Sequence, residues 1–510
     1  MSSALRTVLP RRVLDGFGRA VNVSCRHVAP RSIEELARVV ESASREGLTV
    51  GFRGSGRSYG DASLNGRGVV VDTTSLDRML NWDPVSGIVD AEPGLTIEGL
   101  WRRTIEDGWW PPVVPGTMFP TLAGCVSMNI HGKNNFKVGP FGEHVLEIDL
   151  LQANGKIVTC SRTENSEIFH AAIGGFGLLG AITRVRLKLK KIESGMLRVN
   201  AFYARNLDHM FDIFEERLGS SDYLVGWVDS FAREGAIGRG EVHQALYLHE
   251  SEDPEGRASL HVERQGLPPT IMGFPRSMLW RFMRPFCNDP GWQFVSALKS
   301  FMAWQNDGKS YLQSHVAFAF LLDYVPNWRL AYGPTGFIQY QIFVPQETAR
   351  EAMKAILKLQ QDRGLPNYLS VLKRHRPDPF LMTHALDGWS MAMDFRVTES
   401  NREKLWKLTE EMSEIIVGAG GKFYFAKDAV LRPRDVERAY ETEKVDRFFA
   451  LKKTLDPNGL FETELARRIF GARLDAASSA TPSVDTAKHP HREKSEALVS
   501  SEAIETHSTA

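Results

Sequence analysis

Apolar and polar residues follow two rhythms along the first part of this chain. From Ser32 to Glu46, Ile33, Leu36, Val39, Val40 and Ala43 recur at the spacing of one helical face. Ser32 and Glu35 stand as a capping box and Gly47 as a stop, so a helix is predicted there. Short apolar runs then predict strands: LTVGFRG, GVVVDT ending near Asp72, and GIVDAE ending near Glu92. Thr96 is expected to cap a helix through Glu106. In HVLEIDLLQANGKIVTC, Asn154-Gly155 between alternating runs predicts a two-residue hairpin turn. Beyond Leu197 the elements become longer and rich in aromatics. KFYFAKDA predicts a strand after Gly420-Gly421, and a last helix is expected near Asp446 to Leu455. From about Ala472 large apolar residues almost vanish. Such a segment cannot bury enough surface to offset its ordering entropy, so it is expected to be disordered.

Composition narrows the function classes. At 510 residues the chain is too long for one ordinary core, so two domains are expected. Lys+Arg and Asp+Glu both number 62, which leaves no basic field for nucleic acid. The four cysteines are scattered without a C-x-x-C pair, as small buried hydrophobes of a reducing compartment are; no disulfide framework or metal site is expected. The N-terminal stretch lacks a continuous apolar core for a secretory signal, and no apolar run has transmembrane length. A soluble, cytoplasmic protein is expected, with at most a peripheral contact at the inner membrane face.

Glycine-rich loops carry the candidate chemistry. Gly175-Phe176-Gly177-Leu178-Leu179-Gly180 fits G-x-G-x-x-G, but a helical stretch precedes it and a strand follows, the reverse of a dinucleotide fingerprint. A tight turn is the better reading. GSGRSYGD (Gly54 to Asp61) has three glycines, which let the backbone approach a ligand and aim consecutive N–H groups at an anion. Pro115-Gly116-Thr117 through Thr121-Leu122-Ala123-Gly124 has the same chemistry about sixty residues on. Two such loops on adjacent strand ends suit a pyrophosphate held between two lobes.

With these loops, the segments RGSGRSYGDASLNG, VPGT, IHGKN, FGEHVLEIDLL, AYGPTGFIQYQ, FYFAKD and LDPNGLF make the chain resemble the vanillyl-alcohol-oxidase superfamily of FAD-binding proteins. Within it the chain resembles the decaprenylphosphoryl-β-D-ribose 2-oxidase family over roughly residues 10 to 470. The resemblance implies an α+β fold: a two-lobed PCMH-type FAD-binding domain over 7–193, completed by 422–470, with an inserted mixed α/β substrate cap over 194–421 and a tail over 471–510. It implies a first pyrophosphate loop containing Arg53, Gly54, Ser55, Gly56, Arg57, Ser58, Tyr59, Gly60 and Asp61. Gly116, Thr121, Leu122, Ala123 and Gly124 would form the second loop. Met128, Asn129, Ile130 and His131 would form a strand under the flavin ring, with Ile182 on the adenine side and Tyr424 near the flavin. Covalent-flavin sugar oxidases of the superfamily carry a histidine where this chain has Arg57, which implies FAD held non-covalently.

Oxidation of a secondary alcohol needs a hydride acceptor, which FAD is, and a group that takes the hydroxyl proton. Lys427 is the leading candidate for that group, with Tyr59 and His131 as further catalytic candidates. Gln339 and Gln341 flank Tyr340 on a strand, so both amides face one side and suit sugar hydroxyls. Lys373 resembles a phosphate-contacting lysine and Trp227 a pocket wall. Mycobacterial-type members carry asparagine and cysteine where this chain has Ser390 and Ala392. The match is weak over about 240 to 320; Lys299, within it, is taken as lying outside the site. Arg276 to Phe286 interleaves basic and aromatic residues, which fits a buried cap helix somewhat better than a membrane-surface contact.

The implied reaction is oxidation at C2 of a polyprenyl-phospho-ribose, with an NAD(P)H-dependent short-chain reductase acting next. An oxidase of free alditols or aldonolactones is the alternative. A flavin-free carbohydrate-binding protein is a third reading, from a different class.

Overall fold

The computed structural model describes residues 5–271 and 273–478. Three main sheets organise them. In the first, β1 (Arg11–Asp15) pairs antiparallel with β2 (Asn22–Val28), while β3 (Val50–Arg53) and β4 (Val69–Asp72) join in parallel, giving the order β1-β2-β4-β3. Helix α1 (Ile33–Arg45) covers this sheet through Leu36, Val40 and Ala43, the face that the periodicity selects. Ser32 Oγ accepts from Glu35 N–H at 3.2 Å, but the Glu35 carboxylate accepts from Arg31 and not from Ser32, so only half of the capping box forms.

The second sheet is antiparallel, in the order β5-β6-β9-β7-β8. Its strands are β5 (Met79–Asp83), β6 (Ile88–Ala91), β7 (Val145–Leu151), β8 (Ile157–Ser161) and β9 (Ala181–Lys188). Helices α2 (Ile97–Thr104), α3 (Leu122–Ser127) and α4 (Ser166–Ala172) belong to the same part of the chain, α2 capped by Thr96 as expected. The β7–β8 hairpin departs from expectation. Gln152 and Lys156 close it, leaving a three-residue turn in which Gly155 has φ +80° and Asn154 does not have positive φ. A two-residue type I′ turn needs both central residues left-handed, which this turn does not provide.

The third and largest sheet has the order β13-β10-β12-β11-β15-β16-β14-β17 and is antiparallel throughout. It comprises β10 (Met196–Ala204), β11 (Tyr223–Val228), β12 (Gly240–Tyr247), β13 (Ser310–Ser314), β14 (Phe337–Pro345), β15 (Leu369–His375), β16 (Gly388–Arg396) and β17 (Lys422–Phe423). One face packs on α5 (Leu207–Arg217); α7 (Asp289–Gln305) lies against β10 and β12, and α6 (Leu279–Met283) against the 328–332 turn. Helices α8 (Ala349–Asp362) and α9 (Arg402–Gly418) join α5 on its face.

Three expectations are corrected here. KFYFAKDA is strand only at Lys422–Phe423; from Tyr424 the chain turns, with Lys427 N–H donating to Tyr424 C=O. The Arg276 to Phe286 segment is not a buried helix, since Met278, Phe282 and Phe286 are exposed. The start of the tail is also later than expected. After α10 (Thr442–Leu455), helix α11 runs Glu464–Ser478 with Leu474 buried in the core, and the expected disordered tail otherwise lies outside the described residues.

This C-terminal return braces the first loop. Val50 and the segment 460–462 exchange backbone hydrogen bonds, extending the first sheet past β3. From α11, Arg468 donates two hydrogen bonds to Asp61 and one to Asp428, all at 2.8 Å. One guanidinium thereby ties the loop after β3 to the turn that carries Lys427.

Candidate active site

A cavity of about 1030 Å³ lies between the two glycine-rich loops and one face of the large sheet. The sheet face follows from period-two alternation. Residues in register across neighbouring strands, Glu241 with Trp227, Trp227 with Val371, Val371 with Ala392 and Ala392 with Gln341, all point into it. Gln339, Lys373 and His243 share that face and also line the cavity. Ser390 shares a hydrogen bond with buried His375 at 2.7 Å, and Ala392 is part of the wall, so both departures from the mycobacterial pattern fall on this face.

The opposite wall is the pair of loops. Gly54, Ser55, Gly56, Arg57, Ser58 and Tyr59 line it from one side, and Gly116, Thr121, Ala123, Gly124, Met128, Ile130 and His131 from the other. The loops touch: Ser55 Oγ donates to Phe119 C=O at 2.6 Å, and a Cβ on Gly54 would sit 2.2 Å from Thr121 Oγ1. Ile182 and Tyr424 line the cavity too. The 175–180 segment is a tight turn between α4 and β9, as read, with Gly177 at φ +78°; Gly177 and Gly180 also line the cavity, which the motif's wrong order concealed.

Five residues assigned to cofactor binding sit behind the wall instead. Arg53 donates to Ser63 and to the Asp15 carbonyl. Gly60 packs against the Asp428 carbonyl, where a Cβ would be 1.8 Å away, and Asp61 is held by Arg468. Leu122 is core, and Asn129, at φ +42°, bonds Asp378 and Gly142 N–H. These five shape the loops from beneath. Residues 128–131 form no strand; they follow directly on α3.

Among the catalytic candidates, Lys427 and Tyr59 are brought together. Tyr59 N–H donates to the Ala426 carbonyl at 2.9 Å, and Lys427 Nζ lies 3.7 Å from the centre of the buried Tyr59 ring. Enclosure in the cavity pulls the Lys427 ammonium well below the ordinary lysine range, with the Lys373 charge adding to that. Asp394, fully buried, is pushed up by the same desolvation; it accepts from Gln339 through Oδ1 and keeps Oδ2 without a partner. Sequence reasoning missed Asp394. A lone carboxylate in the apolar run Trp389 to Phe395 was the available signal, because buried charge is costly unless a partner or a function holds it.

His131 is neutral and well below the usual histidine range, through burial first and then nearby Lys373, His375, His384 and Lys427. Its Nε2 pairs with Gln341 Nε2 at 2.8 Å and its Nδ1 has no partner. Lys373 is lowered to about 8 by desolvation. Lys299 does not lie outside the site: it lines the cavity, with Nζ 4.1 Å from the Trp227 ring centre, and desolvation lowers it to about 8. Lys133, also unforeseen, lines the cavity and donates to the Phe318 and Ala319 carbonyls.

The residues present fit FAD. Two touching glycine-rich loops wall a cavity large enough for an extended ligand. Arg57 stands at its wall with Nε buried and unpartnered, its guanidinium 4.8 Å from the Phe119 ring centre. Eight basic residues against three acidic ones line the cavity, which favours an anionic ligand.

Comparison with known proteins agrees. The FAD binding domain family matches residues 26–161. The chain is 28% identical over 462 residues to decaprenylphosphoryl-β-D-ribose oxidase of Mycolicibacterium smegmatis, covering 89% of this chain and 97% of that one. It is 24% identical over 382 residues to an uncharacterized protein of Streptomyces coelicolor, covering 74% of this chain and all of the other. Cytokinin dehydrogenase 3 of Oryza sativa subsp. japonica is 30% identical, but over only 40% of this chain and 39% of its own. Likeness to the cytokinin enzyme is therefore partial, whereas likeness to the sugar oxidase spans both chains. The chain is an FAD-dependent oxidoreductase, and over nearly its whole length it is similar to the decaprenylphosphoryl-β-D-ribose oxidase family.

Proposed function

We propose that this enzyme oxidises the C2 hydroxyl of the pentose in a polyprenyl-phospho-β-D-ribose to a ketone, the first half of an epimerisation towards arabinose-type cell-envelope precursors. FAD, when bound between the two loops, supplies the acceptor for the hydride leaving the sugar carbon. The observation that carries the reading is Lys427, enclosed beside Tyr59 on the same cavity as both loops. Its lowered basicity leaves a neutral Nζ to accept the hydroxyl proton near neutral pH. His131 is a weaker acceptor because desolvation and four neighbouring basic groups oppose its protonation.

Gln339 and Gln341 are each anchored through the amide nitrogen, by Asp394 and His131, which leaves the rest of each amide for sugar hydroxyls. Lys373 supplies charge for the phosphate. The basic lining favours a phosphorylated sugar over a free alditol. Arg57 cannot take the place of an alkylated imidazole, so the cofactor is held non-covalently. Residues 194–421 act as the cap on a FAD-binding domain formed by 7–193 and 422–470. A separate NAD(P)H-dependent short-chain reductase consumes the keto sugar.

Anaerobic mixing with a polyprenyl-phospho-ribose analogue should bleach the flavin, while an alditol or aldonolactone at the same concentration should not. Bleaching by the alditol or lactone alone would replace this substrate. Acid precipitation should release FAD to the supernatant; flavin left on the polypeptide would contradict non-covalent binding.

A further inference from the structure

The stretch from 270 to 321 displays apolar surface that the protein's own packing does not use. Among the described residues, twelve of sixteen exposed large apolar side chains fall between Phe274 and Leu321, so the exposure is concentrated and not scattered. Helix α7 is inside out. Ser296, Ser300 and Ala303 face inward, while Phe294, Leu298, Phe301 and Trp304 are 62%, 50%, 52% and 60% exposed. A helix resting on its own core places these residue types the other way round. Neighbouring elements continue the surface. Phe282 on α6 lies 5.3 Å from Phe274 between ring centres, and the edge strand β13 exposes Tyr311 and Leu312.

The charge accompanying this surface is mostly basic. From Thr270 to Asn288 there are three arginines and no acidic residue; over the rest of the stretch to Leu321, exposed Lys309 stands with exposed Asp289 and Asp307, while Lys299 turns into the cavity. Arg281 and Arg284 are exposed, and Arg281 lies over the Trp280 ring at 4.8 Å. The surface also reaches the active site, because Arg276 and Leu321 line the cavity.

We propose that this face seats in the headgroup layer of an anionic phospholipid bilayer, aromatic residues at the acyl boundary and arginines among the phosphates. The cavity opening then meets the membrane, where a lipid-linked sugar is presented; that last clause rests on the proposed function. Aromatic and leucine residues on one side with arginines beside them are what an interfacial helix needs. A second copy of the chain fits less well, since a two-fold contact centred on 270–288 would set three arginines against their own copies with no acidic residue in that segment.

The test is co-sedimentation of the FAD-loaded protein with vesicles of phosphatidylglycerol and phosphatidylcholine, and with phosphatidylcholine alone. Wild type should pellet with the anionic vesicles and be released by salt. Phe294→Glu/Phe301→Glu/Trp304→Glu should lower vesicle partitioning at least about 10-fold. Arg281→Gln and Arg284→Gln should each lower it about 5-fold. FAD content, melting temperature and flavin reduction by a water-soluble phospho-ribose should not change in the triple variant. Wild type remaining in the supernatant, or the triple variant pelleting equally, overturns the proposal. A wild-type dimer that the triple variant converts to monomer, without vesicle binding, assigns the face to a second copy and overturns it too. If the water-soluble phospho-ribose fails to reduce wild type, the substrate reading fails while sedimentation still reports on the surface.

Discussion

Helices α1 and α7 both carry apolar residues at helical spacing, yet they bury opposite faces. α1 turns Leu36, Val40 and Ala43 inward and leaves Glu34 and Arg45 to water. α7 turns serines and an alanine inward and leaves phenylalanines and a tryptophan outside. Periodicity identifies a helix in both cases, but only in α1 does it also say which side is core. A stripe of large apolar residues marks the side that meets something apolar, and for α7 that something is not the rest of this chain.

The contrast can be broken where the bracing is strongest. Arg468→Ala removes the shared cation of two buried carboxylates, Asp61 and Asp428. Stranding a buried charge costs about 3–5 kcal/mol. Thermal unfolding should fall accordingly, and the protein should lose FAD on gel filtration. A variant that unfolds with wild type and keeps its flavin would show that the loop does not need this brace.

Within α7 the inversion gives a smaller, paired effect. Ser300 is buried and donates to Asp229 at 3.3 Å, so Ser300→Leu should cost about 1–3 kcal/mol through overpacking. Phe301→Ser, one residue on and facing out, should change stability by no more than about 0.5 kcal/mol. Denaturant titration of both variants checks this; the reverse ranking would mean that α7 packs as an ordinary amphipathic helix.

The smallest effect is a shift along the pH axis. Lys427 must be neutral to accept a proton, and enclosure lowers the pH at which it becomes so. The flavin-reduction rate should therefore rise with pH and level off well below the ordinary lysine value of about 10.4. Stopped-flow rates across pH would locate that limb, and a midpoint at the ordinary value would mean that the lysine is solvated.

Much of the cofactor side was legible because its signals are local. The glycines of the first loop, Thr96 as a cap, and the Gln339–Gln341 alternation act within a few residues of sequence, whereas Thr121, read as a loop residue, caps α3. What was missed depends on distant partners. Asp61 reads as a loop residue until Arg468 arrives from more than four hundred positions away. Asp394 joins the site only through its register with Gln339, and Lys299 only because α7 lays it over Trp227. Lys427 was found by resemblance, but its setting on a turn and not a strand comes from the hydrogen bond to Tyr424.

Reductive half-reaction kinetics of Lys427→Ala test the account most directly. The variant should fold and retain FAD, because the hydrogen bonds that brace the first loop come from Arg468 and the Ala426 carbonyl and not from the Lys427 side chain, and its flavin should be reduced by a polyprenyl-phospho-ribose analogue about 10²- to 10⁴-fold more slowly than wild type. Reduction within a few-fold of wild type, at unchanged substrate affinity, would remove Lys427 from proton transfer and contradict the mechanism.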